Sequence, residues 1–250
     1  MSILIVLAKA PVAGRVKTRL CPPLTGEAAA DIALAALKDT LRAVAAVEVD
    51  HRVIVLDGEA GDWVPEGFLV LPQKTGLLDQ RLIDAFSDVF GHIATLNEAV
   101  APTPSDATDL HSSTTHEHSD EPRVTGVRRN EACVLIAMDT PQVHPRQLSD
   151  ALDRLADADS VIGMAEDGGY WLIGLNTLDP EVFRDIPMSV EFTGTAQRER
   201  LQSLGHRVTT VDPLRDIDTF ADIDAIAQDF PELEVSKLWT TMQSARTNRS

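Results

Sequence analysis

The sequence predicts an α/β fold with a mostly parallel central sheet and helices on both faces. Three observations carry this reading. Short, fully apolar, β-branched runs recur along the chain; Ala-rich or amphipathic segments of helical period separate them; and the two kinds alternate through most of the 250 residues. That length buries a sizeable core without disulfide or metal staples, and one large domain over 1–230 is the simplest arrangement, with 231–250 as a C-terminal extension.

The run from Ile3 to Ala8 stops at Lys9-Ala10-Pro11 and reads as a buried parallel strand. A loop follows to about Leu24. Thr25 is placed to cap the Ala-rich helix from Gly26 to Val47, with Glu27 in its first turn favouring the helix dipole. Val53–Leu56 and Phe68–Leu71 read as strands, and Leu78–Phe90 has helical spacing. Ala132–Met138 is another apolar strand. Pro145 opens a helix that ends near Ala156, after which Ser160–Met164 and Tyr170–Leu175 return to strand character. Ala196–Leu204 is expected as helix, Arg207–Val211 as strand and Phe220–Gln228 as a last helix. The segment 97–130 is rich in Thr, Ser, Asp, His and Pro and is expected to be a flexible polar insertion. Its His111, His116 and His118 invite a metal reading, although such His-rich insertions are usually solvated loops. The tail from Ser244 to Ser250 is expected to fray.

Composition limits the function. Hydrophobic residues make 44% of the chain and charged residues 24%, which excludes a disordered chain. The net charge of −17 repels nucleic acid and anionic membrane surfaces, so neither is an expected partner. Two distant cysteines, Cys21 and Cys133, fit a reducing cytoplasm, and the apolar run near the N-terminus is too short for a signal-peptide core or a membrane span.

Against that acidic background, four of the 22 cations, Lys9, Arg15, Lys17 and Arg19, fall on the loop that leaves the first strand. Arginine offers a bidentate fork and lysine a point charge to a phosphate chain, and Gly14 permits close backbone approach. Neither a P-loop nor a G-x-G-x-x-G fingerprint is present. Asp139 stands where an apolar strand meets Thr140-Pro141; a carboxylate there suits a hard cation such as Mg²⁺ or Mn²⁺, or else caps a turn. In Asp216-Ile217-Asp218-Thr219 two acids at alternate positions can point the same way, while Asp218 or Thr219 equally suits a helix cap. Asp167-Gly168-Gly169-Tyr170 reads as a hairpin that also holds a potential base beside aromatic residues. No serine elbow or cysteine–histidine pair is apparent.

Taken in order, Lys9–Leu20, Gln73–Arg81, Asp139-Thr140-Pro141, Asp167–Gly174 and Asp216–Thr219 resemble the bacterial nucleotide-diphospho-sugar transferase-like family of GT-A-type glycosyltransferases, in the group associated with radical-SAM and arsenosugar genes. The resemblance covers about 1–96 and 131–228. It implies a Rossmann-like GT-A fold, with phosphates bound by Lys9, Gly14, Arg15, Lys17 and Arg19. Gln73, Gly76 and Arg81 would line the base or ribose pocket, and Asp139 and Asp218 would hold the divalent metal. Asp167, with Gly168, Gly169 and Tyr170, would face the donor or acceptor, Asp167 either contacting the donor sugar or taking the acceptor proton; Lys17 is the other residue expected to act in catalysis. Ala137, Met164 and Met188-Ser189-Val190 depart from the family's pattern near the acceptor side. The implied reaction is metal-dependent transfer of a sugar from a nucleotide-diphospho-sugar to a small acceptor. Lys17-Thr18-Arg19-Leu20 also looks like the opening motif of guanylyltransferases that activate a phosphorylated small acid, which makes nucleotidyl transfer the alternative. A nucleotide-binding module without catalysis is the third reading.

Overall fold

The computed structural model describes residues 1–100 and 131–247. Seven strands form one sheet in the order β3-β2-β1-β4-β6-β5-β7. They are β1 (Ser2–Lys9), β2 (His51–Asp57), β3 (Phe68–Pro72), β4 (Ala132–Ala137), β5 (Ser160–Ala165), β6 (Tyr170–Leu175) and β7 (Val208–Leu214). Every neighbouring pair is parallel except those made by β6, which runs against both β4 and β5. Four residues connect β5 to β6, too few for a crossover, so this pair has to be antiparallel.

Residue alternation along β1 sends Leu4, Val6 and Ala8 to one face and Ile3 and Ile5 to the other. The first face packs on α1 (Gly26–Ala45) and α3 (Pro145–Arg154), through Leu37, Leu41, Leu148 and Leu155. The second packs on α2 (Leu78–Val100) and α4 (Thr193–Ser203), through Leu82, Phe86 and Leu201. A further pair, α5 (Phe220–Asp229) and α6 (Glu234–Thr247), lies against α1, joined by Ile32, Ile223, Val235 and Trp239. The α/β architecture with helices on both faces is the expected one.

The helix starts follow local chemistry. The Thr25 hydroxyl accepts from the Ala28 amide, as its position implied, and Thr219 with Asp222 forms a capping box at α5. His144 caps α3, with Pro145 at its first position.

Two segments are helical further than the sequence reading has them. Helix α2 continues ten residues past Phe90, to Val100, so the polar insertion read as 97–130 begins in helix; its remainder, with His111, His116 and His118, lies outside the described residues. The tail read as fraying from Ser244 is helical to Thr247, as the end of α6. That helix went unread because its apolar positions are few, and it is held from outside. The Asp39 carboxylate on α1 accepts from the amides of Glu234 (3.1 Å) and Val235 (3.0 Å), satisfying the open N-terminus of α6. Among the described residues no helix is long and apolar enough to cross a membrane.

Candidate active site at the carboxyl edge of the sheet

Strand order reverses at β1, with β2 and β3 on one side and β4 on the other. In open α/β sheets the connections diverge at such a point and leave a crevice beyond the strand ends. A cleft of about 540 Å³ opens there. Its walls come from the end of β1, the loop after it, the segment after β4, the β5–β6 hairpin, the start of α2, residues 188–193 and the segment after β7.

The loop after β1 is fixed by its apolar residues. Val16 is buried against Ala30 and Ala33 of α1, and Leu20 is buried among α1, α5 and α6. The intervening cations are thereby presented to the cleft, which Arg15, Lys17 and Arg19 all line. Lys17 takes a left-handed backbone conformation (φ 47°) although it is not glycine, a strained geometry of the kind that clusters at functional sites.

The Lys17 side chain is only 8% exposed. Its ammonium lies 2.8 Å from Asp139 Oδ2 and 3.6 Å from Asp218 Oδ1, and it also donates to the Ile217 carbonyl. Its three hydrogens thus face three protein acceptors. Arg19 pairs with the other oxygen of Asp218, while Arg15 pairs with Asp57 at the end of β2, at 3.3 Å.

An acidic wall adjoins these cations. Ile217 is wholly buried and its amide donates to the Asp139 carbonyl (3.0 Å), so the extended Asp216-Ile217-Asp218 segment turns both flanking acids to the cleft. Thr219, not Asp218, caps the helix that follows, so the Asp218 carboxylate is turned to the cleft, where Lys17 and Arg19 meet it. One oxygen each from Asp167, Asp216 and Asp218 lies within 4.8 Å of the others. Burial, and then the charges of Asp139, Asp167 and Asp218, push the Asp216 carboxyl up to about 7. Three hard oxygen donors gathered at one spot, of which only Asp218 has a cationic partner among the described residues, form a donor set that fits Mg²⁺ or Mn²⁺.

The remaining walls are mostly cationic and apolar, with Glu191, Ser189 and Thr193 also on the lining. Lys9 lines the cleft with its ammonium free of any acidic partner among the described residues. The Arg81 guanidinium also lines it and donates to Gln73 Oε1, so Gln73 acts by orienting Arg81. Leu78, Leu82, Tyr170, Met188 and Val190 complete the lining, and burial raises the Tyr170 phenol well above its usual range.

Not every residue singled out from sequence lines the cleft. Gly14, Gln73, Gly76 and Gly168 stand outside it, whereas Gly169 and Tyr170 are part of it. Gly168 has a packing duty: at φ +90° its hydrogen faces Glu191, and a Cβ there would lie 1.7 Å from the Glu191 carbonyl oxygen. Its carbonyl accepts from the Gly194 amide at 2.8 Å, which closes residues 188–194 onto the hairpin. Asp216 is the one member of the acidic trio not assigned a role from sequence. The signal was present in its alternation with Asp218 around an isoleucine, but the same spacing also fitted a helix cap.

A doubly covered sheet with one reversed strand, carrying this cleft at its carboxyl edge, is a Rossmann-like fold of the GT-A type. The chain belongs to the family described as an uncharacterized protein conserved in bacteria, DUF2064, whose match spans residues 33–190. No curated protein sequence matches it. The fold is shared with a crystal structure from Desulfovibrio desulfuricans G20 described as a "putative nucleotide-diphospho-sugar transferase" (20% identity, TM-score 0.75, covering 97% of this chain and 95% of that one). More distant likenesses are Rv0371c from Mycobacterium tuberculosis H37Rv (21% identity, TM-score 0.47, 90% and 96% covered) and a nucleotidyl transferase from Methanothermobacter thermautotroptrophicus (15%, 0.47, 91% and 97%).

Proposed function

We propose that the protein is a metal-dependent transferase that moves a sugar from a nucleotide-diphospho-sugar to a small acceptor, within one domain spanning 1–230 and in the cytoplasm. The observation that carries this reading is the juxtaposition, in one cleft, of Lys9, Arg15, Arg19 and Arg81 with the acidic trio Asp167, Asp216 and Asp218. Cations alone suit any anion, and carboxylates alone suit any hard metal. Lining one cleft of this volume together, they suit a diphosphate with a metal ion.

In this proposal Asp167, Asp216 and Asp218 hold Mg²⁺ or Mn²⁺, and Asp139 is committed to Lys17 in place of the direct ligand role that the motif resemblance gave it. The ion supplies Lewis-acid neutralisation of the departing diphosphate. Lys9, Arg15 and Arg81 bind and orient the same group, and Gln73 keeps the Arg81 fork in place. Tyr170, Met188 and Val190 exclude water from the side on which the acceptor enters. Lys17 is a positioning residue here, since its hydrogens already face Asp139, Asp218 and the Ile217 carbonyl.

Incubation with Mn²⁺ and a panel of sugar nucleotides is expected to release nucleoside diphosphate, and Asp216→Asn to abolish that release. Pyrophosphate released from a nucleoside triphosphate plus a phosphorylated acid, with no diphosphate from any sugar nucleotide, would replace this reading with nucleotidyl transfer. Binding without turnover of either kind would make the protein a nucleotide-binding module.

A further inference from the structure

The Asp218 carboxylate is claimed three times. Its Oδ1 lies 3.6 Å from the Lys17 ammonium, its Oδ2 pairs with the Arg19 guanidinium, and it belongs to the acidic trio. A metal ion entering the trio therefore competes with a cation for one of these oxygens. Lys17 is the poor candidate to leave, being 8% exposed with all three hydrogens facing acceptors, so that losing Asp218 strands part of a buried ammonium. Arg19 is the opposite case. It is 69% exposed, and Asp218 is its one acidic partner among the described residues. Exposed pairs of this kind shift an equilibrium by no more than about fivefold.

We propose that Arg19 is an exchange residue, holding Asp218 while the site is free of metal and passing to the diphosphate when the ion takes Asp218. This rests on the metal reading given above. The geometry provides both ends of the transfer. Arg19 lines the same cleft as Lys9, Arg15 and Arg81, and its planar fork matches two phosphate oxygens as well as it matches a carboxylate. Among the described residues the other cations of the cleft have no such link to the trio: Lys9 has no acidic partner, Arg15 holds Asp57 and Arg81 holds Gln73. Metal and diphosphate are thereby coupled through one side chain, and the coupling acts equally in both directions.

The test is Mn²⁺ titration followed by electron paramagnetic resonance of the free ion, with inorganic pyrophosphate as the second ligand, on the full chain and on Arg19→Ala, Arg19→Lys and Asp216→Asn. Arg19→Ala is expected to bind Mn²⁺ alone about three- to fivefold more tightly, because a competitor is gone, and to bind pyrophosphate on the Mn²⁺-loaded protein about tenfold more weakly. Arg19→Lys keeps the charge and loses the fork, so its Mn²⁺ affinity should stay near that of the parent while pyrophosphate weakens. Unchanged or weaker Mn²⁺ binding in Arg19→Ala overturns the exchange while leaving the metal site standing. Equal Mn²⁺ binding by the parent and Asp216→Asn overturns the metal reading, and the exchange with it.

Discussion

Two sequestered carboxylates in this molecule meet opposite surroundings. Asp39, at the seam between α1 and α6, has a side chain with no solvent exposure, yet it receives two backbone amides and the Arg42 guanidinium. Asp216, in the cleft, is half-buried beside three other carboxylates, and among the described residues no cation pairs with it. The seam spends its aspartate on joining two helices that are nearly two hundred residues apart in sequence. The cleft holds an aspartate whose charge the folded chain by itself does not offset. The first arrangement is what stability requires, and the second is what a binding site for a cation requires.

The largest expected effect lies on the structural side. Asp39→Ala removes the acceptor from two amides at the start of α6 and leaves them without a partner in a buried seam. The loss should be about 2–4 kcal/mol, read by denaturant unfolding. The Trp239 indole, which packs in the same cluster and donates to Asp224 (2.7 Å), should become exposed in the same transition and report it by fluorescence. A loss below about 0.5 kcal/mol would mean that α6 is held by its apolar contacts alone.

The same experiment on the cleft should change sign. Asp216→Asn is expected to stabilise the metal-free protein by about 1–2 kcal/mol at pH 8, after allowance for solvent screening of a half-buried group. The folded value near 7 lies above the unfolded value of 3.8, so the native state holds the proton more tightly between those limits. The parent's stability therefore declines on this account as pH rises from about 4 to about 7, and is level above that. In Asp216→Asn that slope should be absent, and Mn²⁺ should no longer raise the melting temperature. A stabilised variant that still responds to Mn²⁺ would separate the acid's cost from the metal.

Much of this contrast was legible in the sequence, and the illegible part has a common cause. The strands, the caps at Thr25 and Thr219 and the hairpin at Gly168-Gly169 are local, and each followed from neighbours within a few residues. The clustering of cations after β1 was equally visible. What could not be read was pairing across long separations. Lys17 looked like a solvated loop cation available to phosphate, but its partners Asp139 and Asp218 lie 122 and 201 residues away, and they bury it. Asp39 drew no reading within its helix, and α6 fell within what was read only as a C-terminal extension, because each is explained only by the other. Gly168 suggested a pocket contact, and its actual partner, Glu191, became visible only once residues 188–194 were seen closing on the hairpin.

The smallest stability effect is expected at Arg15, and there the cleft should part from the seam most cleanly. Its pair with Asp57, at 3.3 Å, has the arginine 60% exposed and the aspartate 36% exposed, the situation in which ion pairs contribute least. Arg15→Ala should change unfolding free energy by less than about 0.5 kcal/mol. Pyrophosphate binding in the presence of Mn²⁺ should nonetheless weaken about tenfold, since a charge-assisted contact to phosphate is lost, while Mn²⁺ binding alone should stay at the parent level because Asp57 lies outside the acidic trio. That last point distinguishes Arg15 from Arg19, although the two cations are four residues apart on one loop. If both variants shift Mn²⁺ affinity alike, the loop acts as a diffuse positive field. If only Arg19 does, the contact with Asp218 is what couples the loop to the metal.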